Sequence, residues 1–180
     1  MRQWMPISSS PKARLALAAV AAFGTRPFAE VGVAELAADA DVTTGALYHH
    51  FGSKLGLYAF VRDDVERRLL DRVEGALATA AGDEATARIV PAIVVGFDFA
   101  VREGFLHLLD APPPGAEADR LVETLRSAAP TASPVLADIL AAALRAAVHA
   151  VGAGADADDA RDALQSLAVH GSADRPGRDF

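Results

Sequence analysis

The 180-residue chain is 52% hydrophobic and 23% charged, with 14 Gly and 10 Pro, a balance that excludes global disorder and collagen-like or low-complexity character. It contains no cysteine, which excludes disulfide staples, thiolate metal sites and a cysteine nucleophile. A formal charge of −7 excludes a polycation that coats nucleic acid along its whole length.

Charge is unevenly spread. Residues 1–60 hold five Lys/Arg against four Asp/Glu, whereas residues 61–180 hold twelve against twenty. Aromatic residues are only 6% and much of the apolar fraction is alanine, so helix formers dominate strand formers and an all-α fold is expected. The run Leu15–Phe23 behind Arg2, Lys12 and Arg14 has the size of a signal-peptide core, but Ser10-Pro11 before it is a helix start and Gly24 a stop. The spacing therefore predicts a first helix over 11–23, and a cytoplasmic chain, with which the absence of cysteine is compatible, is expected. No segment approaches the roughly 20 apolar residues that span a bilayer, Ile89–Val101 being interrupted by Asp98, so no membrane partner is expected.

Gly32 opens a short helix, Val33–Ala38, ending at Asp39-Ala40-Asp41, and Thr43-Thr44 caps another that reaches His50. Two short helices around a tight turn match a helix-turn-helix. Leu47 and Phe51, four apart, pack inward with Leu36 and Val42, while Thr44 with Tyr48 and Gly45 with His49 share a neighbouring outward face. Ser53 caps a long helix in which Leu57, Phe60, Val61, Val65, Leu69, Val73 and Leu77 recur at helical spacing up to Gly82. Asp83 caps the next, with Pro91 and Gly96 as kink points that could open a cavity. Pro112-Pro113-Pro114-Gly115 is a break, followed by a polar, exposed helix over 116–129, one over 134–151 begun by Ser133-Pro134, and a last over 156–170.

The string Val42-Thr43-Thr44-Gly45-Ala46-Leu47-Tyr48-His49-His50-Phe51-Gly52-Ser53-Lys54, extended back through Glu35-Leu36-Ala37 to Arg14, resembles the signature of the tetracycline-repressor (TetR) family over roughly residues 12–60. The resemblance implies an N-terminal three-helix helix-turn-helix domain and a C-terminal helical domain that dimerises and binds a small molecule. Three positions depart from the pattern. Asp41 stands where the turn is usually glycine, and aspartate tolerates the left-handed backbone. Gly32 replaces the usual Ser or Thr cap. Leu55 replaces a common glutamate and is followed by Gly56, which predicts a less rigid start to the fourth helix. The domains are drawn at 9–56 for DNA binding, with the motif at about 32–51, and at 57–170 for the body, with a disordered tail at 171–180.

Candidate DNA contacts are Thr43, Thr44, Gly45, Tyr48, His49 and Lys54. Hydroxyls, a ring nitrogen, an ammonium and helix-start amides suit phosphate oxygens, while Gly45 admits close backbone approach. No arginine lies in 43–50 to take guanine, so shape and dimer spacing are expected to supply much of the specificity. Phe97, Asp98, Arg102, Phe105 and His107 are candidates for a ligand pocket, and Leu136, Ile139, Leu140, Ala143, Leu144, Ala147 and Val148 for a dimer stripe. His49-His50 point about 100° apart with no carboxylate at helical spacing, which argues against a metal site. No phosphate loop, nucleophile elbow or zinc-protease string occurs, so no enzyme and no cofactor is expected. The expected partners are a double-stranded DNA operator, a second copy of the chain and an unidentified small effector. The alternative is a helical small-molecule-binding or interaction module without operator binding, and a helical enzyme ranks third.

Overall fold

The computed structural model describes residues 10–81, 84–111 and 118–169, and among these there are nine α-helices, one short 3-10 turn and no strand, as the composition predicts. A head is formed by α1 (Pro11–Thr25), the 3-10 turn (Phe28–Glu30), α2 (Val33–Asp39), α3 (Thr44–Phe51) and the first turns of α4 (Lys54–Thr79). The body consists of the rest of α4 with α5 (Ala85–Glu103), α6 (Leu106–Leu109), α7 (Arg120–Ala128), α8 (Pro134–Gly152) and α9 (Ala157–Val169). The predicted cap at Asp83, the break at 112–115 and the tail at 171–180 lie outside the described residues.

α4 joins the two because its apolar stripe never stops. Leu57 and Val61 are fully buried with Leu15, Phe23, Leu36 and Leu47 of the head. Val65, Leu69 and Val73 continue the same face into Ile89, Ile93 and Phe97 of α5 and Leu144 of α8. Each such side chain contributes on the order of 1.5–3 kcal/mol by leaving water.

α1 runs to Thr25, past the predicted stop. Gly24 lies inside the helix and its role is proximity: a Cβ there would press into the carbonyl oxygen of Gly104. Gly104, at φ +71°, closes α5 in the left-handed conformation that glycine adopts without strain, so two glycines let α1 touch the α5–α6 corner. α5 is continuous through Pro91 and Gly96. A Cβ on Gly96 would lie 3.0 Å from Val73 and 3.1 Å from Leu69, so that glycine sets the close approach of α4 and α5.

Two body helices differ from expectation. α7 begins at Arg120, where Asp119 accepts from the Leu121 and Val122 amides, and it buries Leu121, Val122 and Leu125. The stripe holds only three apolar residues in an otherwise charged helix, so the expected polar, exposed helix is in fact anchored in the core. α6 is a four-residue helix, Leu106–Leu109, too short for the helical spacing of its sequence to announce it.

α8 is apolar around most of its circumference because it is rich in alanine, and this blurred its orientation. Leu140, Leu144, Ala147 and Val148, assigned to a dimer stripe, are buried in the chain's own core, and Leu136 and Ala143 are half-buried. Of that set Ile139 is the exposed member, at 56%, beside Val135 at 57%. By length and hydropathy alone α8, 19 residues with a mean hydropathy of 1.6, is apolar enough to cross a membrane, which the sequence reading missed. Here two of its polar side chains are engaged with α7, Asp138 facing Arg126 at 3.5 Å and Arg145 gripping Asp119 at 2.6 Å, while His149 lies 3.3 Å from Asp110.

Candidate nucleic-acid interface

The interface is built on a turn that the rest of the head holds in place. α2 starts at Gly32, which has no capping side chain, and Glu35 in its first turn reaches back to accept from the Gly32 amide at 3.3 Å. Arg26 donates to the same carboxylate, and that contact, helped by the Gly32 amide, holds the Glu35 carboxyl below its usual range. At the other end the Val42 amide donates to Ala37 at 2.9 Å and the Asp41 amide to Ala38 at 3.0 Å. Asp41 sits at φ 50°, the one left-handed non-glycine among the described residues, so aspartate does occupy the position where glycine is usual.

Arg14 of α1 then reaches across, its Nε donating to the Ala40 carbonyl at 2.8 Å and its Nη2 to the Asp41 carbonyl at 2.9 Å. The two orphan carbonyls of the turn are thereby satisfied by one rigid fork. On the far side of the turn Thr43 caps α3, its hydroxyl oxygen accepting from Ala46 at 3.3 Å. The hydroxyl proton remains available to donate outward.

With Leu47 fully buried, α3 presents its opposite side to solvent. Thr43, Thr44, Gly45, Tyr48 and His49 are all exposed, Tyr48 at 53%. The structure therefore gathers five of the six sequence-assigned positions on one accessible face.

Lys54 departs from its assignment. Its ammonium donates to the carbonyls of Phe28 and Val31, each at 2.7 Å, and lies 4.1 Å from the centre of the Phe28 ring. It ties the 3-10 turn to the start of α4, which a sequence string cannot show because the partners are backbone atoms 23 and 26 residues away. Gly56 is also reassigned. A Cβ there would strike the Phe51 carbonyl, so the glycine allows α4 to start tightly against the end of α3, with Ser53 capping the Gly56 amide at 2.9 Å. Lys12, absent from the sequence assignment, lies 5.8 and 5.1 Å from the Phe51 and Phe60 ring centres, a cation–π seat at the start of α1.

In the body, the five residues assigned to a ligand pocket do not converge. Phe97 is buried; Asp98 turns the other way and pairs with Arg161 of α9 at 2.8 Å. Arg102 is exposed beside Glu103, Phe105 stacks edge-on against Phe99, and His107 faces Asp110 at 3.8 Å. Adjacent helical positions point to different faces, and a list compiled by proximity in sequence mixed core with surface. Among the described residues a small cavity lies elsewhere, between α4, α5, α6, α7 and α8: about 10 Å³, with Arg62, Glu66 and Arg145 on its polar side, room for about one water molecule.

A short helix locked behind a braced turn, with a polar exposed face and an apolar buried one, mounted on a helical body, defines a helix-turn-helix DNA-binding protein. Residues 16–60 match the family model described as bacterial regulatory proteins, tetR family, so this segment is similar to the DNA-binding domain of that family. By sequence, no curated protein matches the chain. By structure, it is similar to a TetR-like transcriptional regulator from Rhodococcus sp. RHA1, at 24% identity over 94% of this chain and 100% of that one, with a TM-score of 0.66. A TetR-family regulator from Pectobacterium atrosepticum matches at 21% identity over 88% and 91%, TM-score 0.68. A transcriptional regulator from Aquifex aeolicus VF5 matches at 16% over 87% and 96%, TM-score 0.58. These likenesses span head and body and show a shared fold.

Proposed function

We propose that this regulator is a ligand-responsive repressor that binds a near-palindromic operator as a homodimer in the cytoplasm. The observation that carries the reading is the exposed face of α3, with Thr44 and Tyr48 outward while Leu47 is sealed inside. Tyr48 and Thr43 hydroxyls, His49 and the amides at the start of α3 take phosphate oxygens, Gly45 lets the backbone come close, and the Thr44 methyl meets a thymine methyl. Lys54 acts behind this face, fixing the angle at which α3 is offered.

One head offers too few cations for tight binding by itself, since affinity at physiological salt follows the number of phosphates neutralised. Two heads on one duplex, about 34–36 Å apart, solve this. Val135, Ile139, Ala142 and Ala146 recur at helical spacing on the exposed side of α8, and small side chains there permit close helix approach across a two-fold axis. A ligand in the body then loosens operator binding by favouring another separation of the heads, a coupling typically on the order of 1–3 kcal/mol.

The test is selection of bound fragments from random duplex DNA by the purified chain, followed by gel retardation. A two-fold symmetric site whose binding falls steeply with salt is expected. A chain that selects no sequence, or that remains monomeric at binding concentrations, refutes the reading.

A further inference from the structure

The exposed face of α3 carries no fixed positive charge. Residues 43–51 contain no Lys or Arg. The described cations of the rest of the head are engaged elsewhere: Lys12 over two aromatic rings, Arg14 and Lys54 on backbone carbonyls, Arg26 on Glu35. What the face has instead is two imidazoles. His49 is exposed and His50 half-buried, both in the last turn of α3, where the free carbonyl ends of a helix favour a cation. The two rings meet edge-on at 5.0 Å, and His50 meets Phe51 edge-on at 6.3 Å. The elements packed on α3 bring Lys12 and Arg14 from α1, Glu35, Asp39 and Asp41 from α2 and its turn, and Lys54 from α4. Among the described residues no carboxylate lies within 4.0 Å of a ring nitrogen of either histidine, and residues 1–9, which adjoin the head, hold no Asp or Glu.

Affinity for a duplex follows the number of phosphates that a protein neutralises. Hydroxyls and amides orient the face on the backbone but neutralise none of its charge. Histidine is the side chain whose charge changes between about pH 5 and 8, and a phosphate beside an imidazole favours the protonated form. Two imidazoliums 5.0 Å apart repel each other, so a head takes one proton rather than two. The exposed ring, His49, is the one that a phosphate reaches.

We propose that His49 meets the duplex as an imidazolium and is the group that sets operator affinity, each head taking up one proton from solvent as it binds. This deepens the operator reading above and rests on it. The complex holds the proton more firmly than the free chain does, so binding strengthens as pH falls and weakens as pH rises. A dimer carries two such contacts, and its salt dependence is steeper by about two when both imidazoles are charged.

The test uses the full chain and the symmetric site that it selects from random duplex DNA. Affinity is measured by fluorescence anisotropy from about pH 6 to pH 8 at several salt concentrations, with the helical signal followed over the same range. Wild-type affinity is expected to fall by about tenfold or more across that range, and the salt slope to become shallower by about two. Calorimetry in buffers of different ionisation enthalpy is expected to show uptake of one proton per head. His49→Gln is expected to match the wild type at the alkaline end and to gain nothing on acidification. His49→Lys, whose charge is fixed in this range, is expected to bind tightly at both ends, and it carries the same test should His49→Gln lose its helical signal. His50→Gln keeps the pH response. Wild-type binding that does not change with pH, a pH response that survives in His49→Gln, or the absence of proton uptake overturns the proposal while operator binding stands. A chain that selects no site at any pH refutes the operator reading itself, so the two failures are distinct.

Discussion

Head and body use most of their cations differently, although Arg26 of the head pairs with the Glu35 carboxylate and Arg62 of the body donates to the Ala111 carbonyl. In the head, Arg14 and Lys54 are committed to backbone carbonyls and Lys12 to aromatic rings. In the body, Arg120, Arg145 and Arg161 are committed to carboxylates on neighbouring helices. A short head with small helices leaves unpaired carbonyls at each turn, and long cationic side chains are the reach available to close them. The body has long helices whose own bonding is complete, so its charges are free to bridge one helix to another. The difference teaches that the positive balance of residues 1–60 is chiefly architectural, which on the proposed reading leaves DNA contact to hydroxyls, amides and a histidine.

The boundary between the two regions is expected to be the most sensitive place. Gly24→Ala puts a methyl into the Gly104 carbonyl, and neither backbone can yield without moving a helix. A loss of about 3 kcal/mol is expected from such overpacking, read from the urea midpoint at unchanged m-value. A midpoint within error of the wild type would show that head and body are not pressed together there.

Next come the struts. Arg14→Ala strips two carbonyls of a charged donor, and Lys54→Ala does the same at Phe28 and Val31. Hydrogen bonds to charged groups are worth about 1.5–3 kcal/mol, and each variant is expected to lose about 2 kcal/mol while operator binding falls through disorder of the turn. If Lys54→Ala instead keeps its stability and reduces the salt slope of DNA binding by about one, Lys54 is a phosphate contact and the contrast between head and body weakens.

Why some of this was legible in the sequence follows from the range of each interaction. The turn at Asp41, the cap at Thr43 and the inward Leu47 are decided within a few residues, and pattern alone located them. The roles of Arg14, Lys54, Gly24 and Gly56 depend on backbone atoms brought close only by the fold, or on a close approach that leaves no mark on hydropathy. In α8, alanine at both core and surface positions erased the amphipathic signal, so Leu140 and Leu144 could not be told from Ile139. Arg62 gave no signal because a single arginine in a charged helix normally reads as surface.

The body's helix-bridging pairs predict an acid response. Burial alone would raise Asp119, but the Arg145 guanidinium and the amides of Leu121 and Val122 outweigh it and hold the carboxyl below its ordinary 3.8. A folded value below the unfolded one means that the stabilisation is complete above the ordinary value and is lost as pH falls through the lower, folded one. Asp63, lowered by Arg120 and Arg67 against its own burial, adds the same sign. Asp119→Ala, which also removes the α7 cap, is expected to cost about 1 kcal/mol near neutrality, with the gap to wild type narrowing as pH falls below the ordinary carboxyl value of 3.8. A gap that stays constant as the carboxyls are protonated would assign the loss to packing.

The smallest effect on stability and the clearest on function is expected at Tyr48. The side chain is 53% exposed and stands on the face of α3 opposite Leu47, so Tyr48→Ala should change unfolding by less than about 0.5 kcal/mol. If that face meets phosphate, operator affinity falls by about tenfold, the worth of one good polar contact near 1.4 kcal/mol, with dimer and helical signal unchanged. Paired with Arg14→Ala, this variant separates the two uses of polar groups in the head: one loses contact with the duplex while its fold stands, the other loses the fold that offers the contact. Equal losses of stability in both would mean that the exposed face of α3 also braces the head, and the division of labour drawn between cations and hydroxyls would have to be redrawn residue by residue.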